Sequence, residues 1–275
     1  MPFEKRAGTA ERRAYDLFAR AGIPTPAVLG YDGASGLLSL EDLRETHESD
    51  WARAGEMADM AADLHAAFWD DYDTFGEVGL PWRLDSTKNF ERHCRAMEKG
   101  VRPYCKAHKM DDGVFRSALD YLRSKIPALI DKRLHAGKNI TVLHGDLHPE
   151  NILLPKPPGS SPREELSPRV TEEGSAEHHR GAVFVDLEAV RMGLGAEDLA
   201  MLLALHLAPE RALALPLLER YHQKLCIAGY SFEMLLADYK IAIAEALFFP
   251  VKLWHDGIDD PHMMERAIKS WKGLA

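Results

Sequence analysis

The sequence predicts an α+β fold, in which a small mixed segment precedes a mainly helical remainder that carries a short β insert. Three observations predict it. Residues 1–43 combine one amphipathic helical pattern with two short β-like runs, helical spacing dominates after residue 43, and two apolar runs of strand composition interrupt the later helices. With 275 residues, 46% of them hydrophobic, the chain is long enough for one large domain or two modest ones.

The N-terminal segment begins with a predicted helix over residues 9–21. Its apolar residues recur at helical spacing among charges, at Ala10, Tyr15, Phe18 and Ala19. Gly22 and the two prolines that follow it are stop signals. Residues 26–32 and 36–42, joined by Gly-Ala-Ser, predict a β-hairpin.

The remainder of the chain shows repeated helical faces. One face has apolar residues at i, i+3, i+4, i+7 and i+11, at Met57, Met60, Ala61, Leu64 and Phe68. Further helices are predicted near 87–108, 112–136 and 232–247, and Pro250 kinks or ends the last of these. Polar residues and a proline break the apolar region 199–218, so it indicates core helices rather than a membrane span.

The β insert consists of short apolar runs at Ile140–Leu143 and Ile152–Leu154 and a strand-like run over 181–190. Residues 155–180 lie between them and contain five prolines with many Ser, Glu and Arg residues. Such a composition cannot build a core, so it predicts a flexible surface loop. A tolerated insertion and a regulatory binding segment are the two interpretations of this loop.

The net charge and the cysteine content limit the classes of binding partner and the cellular compartment that we expect. The net charge of −9 argues against a general nucleic-acid binder. Three cysteines are an odd and sparse set, typical of reduced thiols, and the N-terminus lacks an apolar core of secretory length. We therefore expect a cytoplasmic protein with no nucleic-acid partner. We also expect no membrane partner and a monomer or homodimer. The ligand pairs of a zinc site are absent around Cys94 and Cys105.

The stretch HGDLHPENILL, residues 144–154, carries the chemistry. Asp146 and Asn151 are five residues apart between two apolar runs, and Asp186 follows the later apolar run. Phosphoryl transfer requires a carboxylate that orients the attacking hydroxyl and oxygen ligands for magnesium, and kinase catalytic loops space Asp and Asn by this step. A polar turn explains one Asp or one Asn, but it does not explain the combination.

This stretch and VFVDLEAVRMGLGAEDLA resemble the catalytic loop and the metal-binding segment of the aminoglycoside phosphotransferase and choline kinase-like family. GIPTPAVLGYD and GLLSLEDL are similar to the family's last N-lobe strands and hinge, and the resemblance covers nearly all of the chain. It implies a protein-kinase-like two-lobe fold, with residues 1–43 as a short, incomplete N-lobe and residues 44–275 as a helical C-lobe. It also implies transfer of the ATP γ-phosphate to a small-molecule hydroxyl with Mg²⁺.

The resemblance assigns roles residue by residue. Asp146 is the implied catalytic base, and Asn151 and Asp186 are the implied magnesium ligands. The backbone of Glu41 and Leu43, in the implied hinge, would hydrogen-bond adenine, so their side chains matter little.

Four further residues have weaker assignments. His144 braces the loop, and His148 either approaches the transferred phosphate or makes a structural hydrogen bond. Glu188 either assists metal binding or is an ordinary surface acid. Asp198 supports the catalytic loop, caps the N-terminus of a helix starting at Leu199, or does both.

The N-lobe departs from the family pattern, since only seven residues precede Gly8 and no glycine-rich loop lies upstream of the first helix. Lys5 could hold the nucleotide phosphates with Glu11 as its ion-pair partner, but Arg6 competes for this role and a frayed surface lysine is an equal interpretation. A missing phosphate cover weakens electrostatic preorganisation. Three explanations of the short N-lobe are open. Either the start is assigned too late, or a partner chain supplies the missing strand, or the protein has lost catalysis and keeps the fold for binding.

The rival to a small-molecule kinase is therefore a non-catalytic, nucleotide- or ligand-binding pseudokinase on the same fold. A protein kinase is a weaker third hypothesis, because Glu188 replaces the glycine expected after the metal-binding Asp and no Ala-Pro-Glu follows. The acceptor is expected to bind among C-lobe helices. An aminoglycoside, a choline-like amine, a sugar and another alcohol all remain candidates.

Overall fold

The computed structural model describes residues 2–71, 73, 74, 76, 84–157 and 181–274. Its strands are β1 (Phe3–Arg6), β2 (Val28–Asp32), β3 (Leu37–Leu40), β4 (His47–Glu48), β5 (Thr141–Leu143), β6 (Ile152–Pro155), β7 (Val183–Phe184) and β8 (Arg191–Gly193). Its main helices are α1 (Thr9–Arg20), α2 (Ala54–Ala67), α3 (Thr87–His108), α4 (Gly113–Leu129), α5 (Gly195–Leu199), α6 (Arg211–Leu225), α7 (Phe232–Ala246), α8 (Phe249–His255) and α9 (Pro261–Leu274).

The chain divides into two compact units. The first comprises Met1–Arg53 and His148–Ala189, and the second comprises Ala54–Leu147 and Val190–Ala275. Each unit is thus built from two separate segments of sequence. The expected lobe boundary after residue 43 stays a prediction.

In the first unit, three antiparallel strands form a sheet in the order β1-β3-β2. Lys5 of β1 pairs with Leu38 of β3, and the register of β2 shifts between Val28 and Gly30. On α1, Tyr15 and Phe18 are buried, as the spacing predicts, whereas the predicted Ala10 and Ala19 are exposed.

A second sheet of the same unit has the order β4-β6-β7. Ile152 of β6 pairs with Phe184 of β7 in antiparallel register. Strand β6 precedes the undescribed residues 158–180, and β7 follows them. The Phe18 ring of α1 packs edge-on against Phe184 at a centroid separation of 6.3 Å. This contact joins α1 to the strand that leads into Asp186.

The second unit is mainly helical. Helix α2 packs on α6, α4 packs on α7, and the two-stranded sheet β5-β8 packs on α2 and α5. Thr141 pairs with Gly193 across this sheet. In the part of the chain that the structure describes, no helix is both long and apolar enough to cross a membrane.

Most of the predicted elements are confirmed, and the ends of two helices have a local physical explanation. The helix predicted near 112–136 ends as an α-helix at Leu129 and continues as a π-helical turn over Ile130–Leu134. Helix α7 ends at Ala246, and Pro250 lies in the first turn of α8, where its missing N–H costs no helical hydrogen bond. The predicted flexible loop falls almost wholly on residues 158–180, outside the described residues.

The prediction of a single strand over 181–190 is wrong, because the observed strand is much shorter. Strand β7 contains only Val183 and Phe184, and a 3₁₀ turn over Leu187–Ala189 separates it from β8. Asp186 has a φ of 61°, in the left-handed region, which no regular strand permits. The apolar composition of this run could not reveal that interruption.

Candidate active site

Lys5 and Glu11 meet in the first unit. Lys5 projects from β1, and Glu11 lies in the first turn of α1 with 2% of its side chain exposed. Lys5 Nζ lies 2.9 Å from Glu11 Oε1 and also contacts Asp186 Oδ1. The interpretation of Lys5 as a frayed surface residue is therefore wrong, whereas its competitor Arg6 is exposed.

The environment shifts the pKa of both members of this pair. Burial lowers the pKa of Lys5, but the hydrogen bonds to Asp186 and Glu11 outweigh burial and hold the pKa above its ordinary value. Burial raises the pKa of the Glu11 carboxyl above its ordinary value, because the contact with Lys5 only partly offsets the loss of hydration. Lys5 therefore stays a cation at neutral pH.

Three carboxylates gather beside Lys5. Oxygens of Glu11, Asp186 and Glu188 all lie within 4.8 Å of one another. Hard divalent cations such as Mg²⁺ take oxygen ligands, so this donor set fits a magnesium ion. Asp186 adopts left-handed backbone geometry that costs free energy in a non-glycine residue and is typical of functional sites. Glu11, expected only as the ion-pair partner of Lys5, is thus also a member of this carboxylate group.

Asn151 is brought next to the Asp186 segment by backbone pairing. Asn151 ends the 3₁₀ turn Pro149–Asn151 and is 6% exposed. The Val185 N–H donates to the Asn151 carbonyl at 3.1 Å. The two predicted magnesium ligands therefore flank neighbouring ends of β6 and β7, and half-buried His148 precedes the 3₁₀ turn.

The predicted hinge residues form part of the protein's own turns. The Glu41 N–H donates to the Ala27 carbonyl at 2.8 Å, and the Leu43 carbonyl accepts from the backbone N–H groups of Thr46 and His47. The Glu41 carboxylate also accepts from the Ala27 N–H at 3.3 Å. Adenine recognition at Glu41 and Leu43 stays a prediction.

In the second unit, a buried carboxylate holds the backbone before Asp146. Asp198 Oδ2 accepts from the His144 N–H at 2.7 Å, and Asp198 Oδ1 accepts from the Gly145 N–H at 2.9 Å. We call this arrangement the Asp198 clamp. Gly145 has a φ of 84°, which favours glycine and turns the chain sharply after β5.

The alternative role of Asp198 as a helix cap is wrong. Helix α5 begins at Gly195 with Leu194 as its N-cap, so Asp198 lies inside the helix. Its 1% exposure and its two backbone donors support the first interpretation, in which it holds the catalytic loop. The His144 side chain, predicted to brace this loop, is fully buried.

Two side chains that support this clamp were not predicted from the sequence. His65 Nε2 donates to Asp198 Oδ2 at 3.1 Å, and the Tyr221 hydroxyl lies 2.8 Å from His65 Nδ1. All three side chains are buried. Burial raises the pKa of Asp198, but the His65 hydrogen bond and nearby positive charge outweigh burial and hold that pKa below its ordinary value. A histidine on the apolar face of α2 was the available signal.

Comparison with known proteins places the chain in a family. The model of the phosphotransferase enzyme family matches residues 3–160, more than half of the chain. The chain belongs to the phosphotransferase enzyme family. This result confirms the resemblance inferred from the two loop motifs. None of the curated proteins matches the chain significantly in sequence.

Solved structures confirm the fold class. The choline kinase LicA from Streptococcus pneumoniae is similar with a TM-score of 0.53 at 14% identity, over 98% of this chain and 84% of that chain. LicA in complex with AMP has a TM-score of 0.52 at 14% identity, over 97% and 79%. An ethanolamine kinase of Plasmodium vivax has a TM-score of 0.53 at 12% identity, over 96% and 71%. The α+β, kinase-like architecture is thus shared.

Proposed function

We propose that this phosphotransferase family member transfers the γ-phosphate of ATP to a hydroxyl group of a small molecule with the help of Mg²⁺. The observation that carries the proposal is the contact of one cation, Lys5, with Glu11 and Asp186 of a three-carboxylate cluster. Phosphoryl transfer needs this combination, because phosphates need a positive partner and their counter-ion needs oxygen ligands.

In this proposal, Lys5 binds the nucleotide phosphates through its ammonium group and Glu11 keeps that group in place. Asn151 and Asp186 would hold the magnesium ion, and Glu188 lies in the same carboxylate cluster as Asp186. A magnesium ion held there would supply positive charge that offsets the charge of the phosphates. The left-handed backbone at Asp186 sets the direction of its carboxylate.

Asp146 is the proposed catalytic base. Its carboxylate would accept the proton of the attacking hydroxyl and orient that oxygen toward the γ-phosphate. The Asp198 clamp holds the two residues before Asp146 by their backbone N–H groups, so the carboxylate starts from a constrained backbone. Preorganisation of this kind lowers the barrier without any new contact to the substrate.

The proposed acceptor class is supported by membership of the phosphotransferase enzyme family. The similar solved structures include a choline kinase and an ethanolamine kinase, and at this identity they support the fold rather than a substrate. The proposed acceptor is therefore a small alcohol. The net charge of −9 suits a positively charged amino alcohol.

The test is the substitution Asp146→Ala, measured with γ-labelled ATP and a panel of choline, ethanolamine, an aminoglycoside and simple sugars. Loss of a general base is expected to lower kcat by about 10²- to 10⁴-fold, with thermal unfolding unchanged. Asp120→Ala, at an exposed position of α4 in the same unit, is the matched control and should leave kcat unchanged. A kcat of Asp146→Ala within twofold of wild type would contradict the role of Asp146.

The rival hypothesis, that the protein binds nucleotide or ligand without catalysis, predicts a different result. Calorimetry would then show magnesium-dependent ATP binding, while no acceptor in the panel becomes labelled. Binding together with labelling of one acceptor class supports the kinase and identifies its substrate.

A further inference from the structure

His65 is a fully buried polar residue with no part in the proposed chemistry. It lies in α2, away in sequence from both loop motifs. Its Nε2 donates to Asp198 Oδ2 at 3.1 Å and its Nδ1 lies 2.8 Å from the Tyr221 hydroxyl. Every polar atom of the imidazole therefore has a partner in a region without solvent.

The surroundings hold this imidazole in one orientation. The Thr141 hydroxyl donates to the His65 carbonyl at 2.8 Å, and the Tyr221 ring packs edge-on against the imidazole at 5.7 Å between centroids. A Cβ placed on Gly195 would lie 2.8 Å from His65 Nδ1 and 2.7 Å from the Tyr221 hydroxyl oxygen. The pair is therefore packed without spare room.

The hydrogen bonds form one continuous path. It runs from the Tyr221 hydroxyl through the His65 imidazole to the Asp198 carboxylate, and from there to the backbone N–H groups of His144 and Gly145. Asp146 is the next residue. A buried network in which each group is satisfied is rigid, and a misplacement of 1 Å at a reacting group can cost about 10²-fold in rate.

We propose that His65 and Tyr221 are positioning residues for Asp146, acting through the Asp198 clamp. This inference rests on the proposed phosphotransferase function. His65 fixes the rotation of the Asp198 carboxylate, so both carboxylate oxygens face the two backbone donors. Tyr221 fixes the orientation of the imidazole. Neither side chain touches substrate.

Substitutions separate positioning from a purely structural role. His65→Leu removes both hydrogen bonds, His65→Gln keeps an N–H donor near the position of Nε2, and Tyr221→Phe removes only the hydroxyl. The positioning role predicts that kcat falls by up to about 10²-fold in His65→Leu, less in His65→Gln and least in Tyr221→Phe. The KM for ATP should stay unchanged, because the residues proposed to hold the nucleotide lie in the other unit.

The control is His222→Gln. His222 lies beside Tyr221 on α6, and its Nε2 donates to the Tyr230 carbonyl at 2.7 Å, outside the clamp. This variant should change the thermal midpoint without changing kcat. A purely structural role for His65 predicts the same behaviour for His65→Gln, with kcat per folded molecule equal to that of wild type, and this result would overturn the proposal.

Amide hydrogen exchange provides a measurement that does not need turnover. Loosening of the clamp predicts faster exchange at the amides of His144 and Gly145 in His65→Gln and Tyr221→Phe, while the amides of β5 keep their rates. Unchanged exchange at His144 and Gly145 refutes the proposal. If wild type shows no phosphoryl transfer to any acceptor, the proposed function fails, and the exchange rates still decide whether His65 holds the clamp.

Discussion

Gly195→Ala tests whether the buried pair of His65 and Tyr221 is as tightly packed as the structure shows. Gly195 is the first residue of α5. An alanine Cβ there would lie 2.7 Å from the Tyr221 hydroxyl oxygen, 2.8 Å from His65 Nδ1 and 3.3 Å from His65 Cε1. Since carbon contacts are favourable near ~3.5–4.0 Å, both side chains must shift by roughly 1 Å.

The size of the effect follows from opposing terms. Alanine is favoured over glycine in a helix by about 1 kcal/mol, which acts against the clash. Overpacking of a buried site costs ~1–3 kcal/mol, and disturbing the hydrogen bonds of the pair adds about 1 kcal/mol. We expect a net destabilisation of ~1–3 kcal/mol. For a chain of this size that corresponds to a fall of roughly 2–10 °C in the thermal midpoint.

The assay is thermal unfolding followed by circular dichroism, with Gly273→Ala as the control. Gly273 lies in α9, and a Cβ there would meet only Arg211 Cβ within 4 Å, at 3.8 Å. This control should be neutral or stabilising. Equal midpoints for Gly195→Ala and Gly273→Ala would refute the packing argument.

A double-mutant cycle makes the test specific. Tyr221→Phe removes the hydroxyl oxygen that the new Cβ of Gly195→Ala would meet. The double variant should therefore recover part of the stability, with a coupling of more than ~0.5 kcal/mol between the two changes. Strict additivity would show that the clash lies elsewhere.

Two further predictions concern charge. The pKa of folded Asp198 lies below its ordinary value of about 3.9, so its contribution to stability is present above that value and is lost as pH falls through the lower folded-state pKa. Asp198→Asn should thus be less stable than wild type at neutral pH and should lose less stability as the pH falls. Urea unfolding at a series of pH values measures this. A pH dependence of the unfolding free energy equal to that of wild type would contradict the linkage. Lys5→Met removes the ammonium that contacts Asp186 and Glu11, so Mn²⁺ alone should bind more tightly and MgATP more weakly in calorimetry; unchanged Mn²⁺ affinity would show that Lys5 does not compete for these carboxylates.

The sequence was most informative where the physics is local. The helix over Thr9–Arg20 and the hairpin of Val28–Asp32 and Leu37–Leu40 follow from apolar spacing and turn residues within a few positions. The step from Asp146 to Asn151 is also local, because one short loop carries both side chains. These patterns predicted the family that the comparison later confirmed.

Prediction was less successful where a single backbone angle or a partner distant in sequence decides the local structure. A left-handed Asp186 divides the run over 181–190, and hydrophobicity carries no information about that angle. Asp198 precedes an apolar run and so also resembled a helix cap, which is wrong, whereas the loop-supporting role implied by the family resemblance is supported. Its true partners are backbone groups more than fifty residues earlier in the chain.

The amino-acid sequence by itself determined the order of the elements, the family and the loop that carries the proposed base. Only the tertiary structure decided which side chains, distant in sequence, contact one another. His65 reaches Asp198 across 133 positions, and Lys5 reaches Asp186 across 181. Periodicity reports how one residue relates to its neighbours on the same element, whereas contacts of this length depend on how separate elements pack. A buried histidine on an apolar helical face therefore acquired a proposed role only when its two hydrogen-bond partners were in place.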